Sequence, residues 1–120
     1  MTFTIDGYTL NVLNFSEEAY PIGAEWLSYE NGQLKRERHV FDIKRTWRLN
    51  CIEKDVAWSG SIINYLQQRM AANETVTFTV DEGDRYQLPA TTVHVVNVEF
   101  NMPQAGGQNI RYFSVILKEA

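Results

Sequence analysis

Residues 41–51 read FDIKRTWRLNC. Phe41, Ile43, Trp47, Leu49 and Cys51 occupy the odd positions, while Asp42, Lys44, Thr46, Arg48 and Asn50 occupy the even ones. Only Arg45 breaks the alternation. A two-residue period predicts a β-strand with one dry face and one wet face. The same reasoning gives further strands. Phe3 and Ile5 alternate before Asp6-Gly7, and Tyr8, Leu10 and Val12 alternate after it. Asp-Gly between alternating apolar residues predicts a tight hairpin, because both residues tolerate positive φ. Val76, Phe78 and Val80 share one face of a strand over 75–80. Tyr86–Leu88 starts a short return strand that Pro89 ends, and Thr92–Asn101 forms a second long one. Valines on both faces leave the register of that long strand ambiguous. The closing strand, 109–118, turns Phe113, Val115 and Leu117 inward and Tyr112, Ser114 and Ile116 outward.

Two stretches are not simple strands. Residues 55–72 predict a helix with Asp55 as N-cap, Asn73 as its end, and Val56, Ser59, Ile63, Leu66 and Met70 near one face. Gly60 makes the first turn a candidate separate loop. Residues 16–38 show no clean period and contain Pro21, Gly23, Asn31 and Gly32. Asn31-Gly32 offers a second hairpin turn, with Glu25–Glu30 on one side and Gln33–Asp42 on the other. The segment also carries Tyr20, Ile22, Trp26, Leu27 and Tyr29, much apolar surface for a connection. Two readings follow: these residues cap their own core, or they pack on a neighbouring subunit.

The expected architecture is α+β but mainly β: one domain over residues 1–120, with a long loop or arm at about 16–38. It is an antiparallel β-sandwich or half-open barrel with one packed α-helix. No βαβα alternation points to a doubly wound parallel sheet. Hydrophobic residues make up 44% and charged residues 22%, which is ordinary globular usage. The net charge of −4 argues against a dedicated nucleic-acid binder. No apolar run reaches the roughly 18 residues of a membrane helix, and the N-terminus lacks the pattern of a signal peptide.

Candidate chemistry is sparse. Cys51 is the only cysteine and lies on the dry face of its strand, where a thiol behaves as a small hydrophobe. His39 sits in the charged run Lys35–His39, and His94 sits mid-strand. Asp81-Glu82-Gly83-Asp84 is too short to supply the six or more oxygens calcium needs, and reads as a charged turn. Gly106-Gly107 lacks the lysine and hydroxyl of a phosphate loop. No catalytic residue, metal ligand or cofactor emerges, so the chain reads as a non-enzyme.

The order of elements nevertheless has a resemblance. Arg45, Trp47 and Leu49 form an R-x-W-x-L strand. An amphipathic helix, Val76–Val80, a valine-rich strand, Gly106-Gly107 and the terminal strand IRYFSVILKE follow. From Phe41 to Glu119 this resembles the small β-domain of tailed-phage tail proteins: tail tube, distal tail and tail-terminator subunits. The resemblance implies a non-catalytic structural subunit of a phage tail or related injection machine, made in the host cytoplasm and built into the virion. It implies a homo-oligomeric ring contacting other tail proteins, with DNA only as cargo in a lumen, and no cofactor, membrane or small-molecule substrate. It places Tyr20, Ile22, Trp26, Leu27, Tyr29, Lys44 and Arg48 at the subunit interface. The alternative is a monomeric β-rich module binding a peptide, sugar or small ligand, with a concave pocket as its signature.

Overall fold

The computed structural model describes residues 2–30, 33–103 and 109–120, and the side chains of these except residues 22–42. Its elements are β1 (Thr2–Ile5), β2 (Tyr8–Glu30), β3 (Gln33–Lys54), a 3-10 turn (Trp58–Gly60), α1 (Ile62–Ala71), β4 (Thr75–Asp81), β5 (Gln87–Asn101) and β6 (Ile110–Glu119). The strands close antiparallel in the order β1-β2-β3-β6-β5-β4. The protein is thus mainly β with one helix, but it forms a closed barrel instead of a sandwich or half-open barrel. Closure rests on the four-residue β1. Its Phe3 lies opposite Leu10 of β2 on one side and Val80 of β4 on the other. Periodicity reports faces, not which edges meet, so this ring closure is invisible in the pattern.

The interior of a six-stranded barrel is narrow enough for side chains to fill. Trp47, Leu49 and Cys51 enter from β3, Val76, Phe78 and Val80 from β4, and Phe113, Val115 and Leu117 from β6. Ile62, Ile63 and Leu66 of α1 join the same cluster. The rings of Phe78 and Trp47 meet edge to face with centroids 5.5 Å apart, a favoured aromatic geometry. Cys51 is buried, and desolvation pushes its thiol up to about 12. It is therefore protonated and poorly nucleophilic. A thiol reagent at pH 8 is expected to leave the native protein unlabelled and to label it completely in denaturant. Native labelling faster than unfolding would show that β3 opens locally.

Local features of the Asp6-Gly7 turn and the helix follow the sequence reading except at the helix N-cap. The Asp6-Gly7 turn has φ of 47° and 85°, as a type I′ hairpin requires. The Asp6 carboxylate also accepts hydrogen bonds from the Thr77 amide and the Tyr65 hydroxyl, tying the turn to β4 and α1. Asp55 is not the helix N-cap. It has φ of 55°, and Ser61 caps α1 instead, its hydroxyl accepting from the Ile63 amide. The expected first turn is the separate 3-10 turn. The helix ends in a Schellman motif: the Asn73 amide donates to Met70 and the Glu74 amide to Arg69, with Asn73 at φ of 54°.

Pro89 does not end a strand. It lies within β5, where the register with β4 shifts between Thr91 opposite Phe78 and Leu88 opposite Val80. The bulge absorbs a residue that cannot donate to the ladder. A second bulge, at Val96, explains the ambiguous valines. Val93 and Val95 are buried, Val96 is 52% exposed, and the opposite parity of Val98 is half-buried beyond it.

A buried ion pair joins the start of α1 to the barrel. Glu53 of β3 accepts from Arg111 Nη1 (2.6 Å), Ser61 Oγ (2.7 Å) and the Ile62 amide (3.2 Å). Arg111 also donates to the Val56 carbonyl, and its guanidinium lies over the Trp58 ring. Among the described residues no buried polar side-chain atom lacks a hydrogen-bond partner.

Candidate assembly interface

The segment expected as a long loop or arm is strand along its described backbone, with Glu25–Glu30 pairing against Gln33–Arg38 as the hairpin reading had it. β2 and β3 pair from Asn11 opposite Ile52 out to Glu30 opposite Gln33. The intervening Asn31-Gly32 lies outside the described residues. β6 accompanies β3 only between Thr46 and Lys54, and β1 accompanies β2 only between Tyr8 and Leu10. From Ala19 opposite Arg45 outward, the two strands have, among the described residues, only each other as strand neighbours. Twelve residues at about 3.3 Å each give a ribbon of about 40 Å. The molecule accordingly extends 73 Å along its longest axis against 33 and 26 Å across, with a radius of gyration of 19.3 Å. A compact domain of this length would have about 13.6 Å.

The ribbon is anchored by a polar layer where it leaves the barrel. Trp47 Nε1 and the Tyr86 hydroxyl both donate to Glu17 Oε1, at 2.8 and 2.6 Å. Arg45 lies over the Trp47 ring and binds Glu119 through its backbone amide, Nε and Nη2. The Glu119 carboxylate thus extends the β3–β6 ladder by one acceptor beyond Lys118. Arg45 Nη1 also lies 3.9 Å from Glu17. These bonds explain why Arg45 interrupts the apolar alternation: it follows Trp47 on the inner face where the barrel ends. Beyond it the rule for the dry face fails, and Ile43 is 58% exposed because no barrel remains to cover it.

The hydrogen bonds from Arg45 hold the Glu119 carboxyl below the usual carboxylate range, and Glu119 in turn raises Arg45. Burial, then the bond to Glu17, raises the Tyr86 hydroxyl. A depressed carboxyl stabilises the fold above its unfolded value, about 4.3. That contribution is lost as pH falls through the lower folded value. Glu119→Gln is expected to cost about 1 kcal/mol at neutral pH, a partly exposed pair being screened by solvent. It should also flatten the acid limb of a stability-against-pH curve measured by urea unfolding.

The residues expected at an interface divide into two groups. Tyr20 is half-buried opposite Lys44, whose Nζ donates to the Ala120 carbonyl at 2.8 Å. Arg48 is exposed, between Ser16 of β2 and Ile116 of β6. The backbones of Ile22, Trp26, Leu27 and Tyr29 lie in β2, opposite Asp42, Glu37, Arg36 and Leu34; their side chains lie outside the described residues. Gly106-Gly107 and the side chain of His39 also lie outside them, whereas His94 is exposed on β5. The Asp81–Asp84 turn is held by its own backbone, with Asp81 Oδ1 accepting from the Gly83 amide.

Two of the concavities along β2 bear on an interface. One, of about 440 Å³, runs along its open edge between Phe3, Leu13, Phe15, Glu17, Arg85 and Tyr86. The other lies on the outer sheet face, among Asn14, Ser16, Arg48, Asn50, Asn97 and Glu99. Among the described residues no group of three or more His, Cys, Asp or Glu could hold a metal ion. The alternating wet face of β3 is legible from sequence, but the layer at the ribbon root is not. Its one signal is Arg45, out of phase among apolar neighbours.

No protein-family model matches the sequence, and no curated protein matches it. Solved structures do match. A chain from the virion of a native gene transfer agent particle superposes with a TM-score of 0.57 at 13% identity, over 99% of this chain and 91% of that one. A chain from the tail of an empty gene transfer agent particle with C6 symmetry gives 0.53 at 14% identity, over 94% and 81%. At this identity the likeness is one of fold.

Proposed function

We propose that this chain is a non-catalytic structural subunit of a phage-tail-like assembly, and that the β2–β3 ribbon is the element by which its copies join. The ribbon itself carries this reading. A two-stranded hairpin is at best marginal in water, and its open edges invite pairing. A neighbour on each side would cover both edges and turn a liability into an interface. The shared fold supports the same reading, since the similar chains come from a virion and a tail. The C6 symmetry of that tail makes six copies the first arrangement to test. Tyr20, Ile22, Trp26, Leu27 and Tyr29 of β2, with Lys44 and Arg48 of β3, belong to the strands that would meet neighbours. The polar outer face around Asn50 and Arg48 would suit a water-filled lumen with DNA as passing cargo. Other tail proteins would stack on the ring in the virion.

A second reading takes the cleft between Phe15 and Tyr86 as a peptide or ligand site. Light scattering behind size exclusion over a concentration series, with negative-stain images, separates the two. Rings or tubes are the expected result. A strict monomer across the whole concentration series would overturn the proposal.

A further inference from the structure

The two strands of the ribbon carry opposite charge. β2 holds Glu17, Glu18, Glu25 and Glu30 and no basic residue. From Gln33 to Arg45, beyond the reach of β6, β3 holds five lysines and arginines against two acids, a net charge of +3. Lys35, Arg36 and Arg38 lie in its half beyond the barrel. Each strand also has one edge without a strand partner among the described residues. On β2 this edge begins after Leu10; on β3 it runs from Gln33 to Arg45. The two strands run antiparallel. A second copy standing side by side with the first in the same orientation would therefore bring its β3 antiparallel to the open edge of the first copy's β2. The ladder would continue without a change of direction.

We infer that copies join head to tail, the acidic β2 edge of one subunit against the basic β3 edge of the next, and that charge excludes the self-paired alternatives. The inference rests on the ring reading above and names its interface. A symmetric dimer through β2 would bring together two strands that are acidic and carry no basic residue; through β3, two net positive strands would meet. Opposite charges directly across neighbouring strands are favourable, and like charges there are destabilising. A self-paired dimer would consume its edge and stop growth. A head-to-tail contact leaves an edge at each end until a ring closes or a filament grows. The barrel end of the β2 edge has the same character. Phe3, Leu13, Phe15 and Tyr86 offer apolar walls, with Glu17 and Glu82 against a single Arg85.

Two charge-reversed variants test this: Glu25→Lys with Glu30→Lys, and Lys35→Glu with Arg36→Glu and Arg38→Glu. Assembly is read by light scattering at about 0.05 M and about 0.5 M salt, between which the screening length falls severalfold. Wild-type assembly is expected to weaken at least tenfold at the higher salt. Each variant alone should remain monomeric, and an equal mixture should assemble again, because a reversed β2 edge then meets a reversed β3 edge. The mixture also controls for strain inside the ribbon, which is the same mixed or alone. Salt-insensitive wild-type assembly, a variant that assembles alone as wild type does, or a mixture that stays monomeric while circular dichroism shows both barrels folded would each overturn the inference and leave the ring reading standing. A wild-type chain that never assembles would overturn both.

Discussion

Joining Tyr20 directly to Lys44 through an Asn-Gly turn is expected to yield a folded monomer that no longer assembles. The deletion removes residues 21–43. Among the described residues, every buried core side chain lies outside that range, and so do Glu17, Arg45, Trp47, Tyr86 and Glu119 of the root layer. The new turn copies the two-residue spacing between Glu30 and Gln33 at the natural tip. The thermal midpoint should shift by only a few degrees, because a ribbon with no third strand contributes little to the barrel's stability. Assembly, in contrast, should fall below detection by light scattering at concentrations where the intact chain forms rings. A variant that unfolds would show that the ribbon completes the core. A variant that still assembles would move the interface to the barrel wall.

Arg111→Ala is expected to be the most destabilising single substitution at a charged position, by about 3–5 kcal/mol. The side chains of Arg111 and Glu53 are 9% and 8% exposed. Removing the guanidinium leaves a carboxylate buried beside the N-terminus of α1, with only Ser61 and the Ile62 amide to satisfy it. It also uncovers the face of Trp58. Urea unfolding followed by tryptophan fluorescence measures the loss directly. The double variant Arg111→Met with Glu53→Leu should recover most of it, since a buried pair replaced by apolar groups of similar volume is often neutral. If Arg111→Ala costs less than about 1 kcal/mol, water reaches the pair and the start of α1 is not sealed.

The two effects differ in how visible they are from the sequence. Trp47, Leu49 and Cys51, then Val76, Phe78 and Val80, and Phe113, Val115 and Leu117 all stand on the faces their alternation assigns. The Asp6-Gly7 turn and the end of α1 at Asn73 are equally local, since a backbone at positive φ selects few residue types. Glu53 and Arg111 are another matter. Each looks like an ordinary charged residue near a strand end, and they are 58 positions apart. Only the β3–β6 pairing, with Glu53 opposite Arg111, brings them together. The root layer is similar: Glu17, Arg45, Tyr86 and Glu119 come from four separate stretches.

Ile43 illustrates where a period stops being informative. It is in phase with Trp47 and Leu49, yet exposed, because a strand's face is dry only along the length that something covers. The alternation carries on past the end of β6; the barrel does not. Pro89 and Val96 mark the converse case, positions where the register shifts so that the ladder can absorb a missing donor or an extra residue.

What the sequence by itself determined is the local geometry: that residues 41–51, 75–80 and 109–118 are strands and which face of each is apolar, where Asp6-Gly7 turns, and that a single helix interrupts the β-structure. These follow from side-chain period and backbone preference, interactions that span a few residues. What only the tertiary structure decided is which edges meet. Closure through the short β1, burial of the Glu53–Arg111 pair and the release of the β2–β3 ribbon beyond the barrel all depend on strands far apart in the chain. Their pairing is chosen by the collective burial of one shared core, a quantity that no local pattern contains.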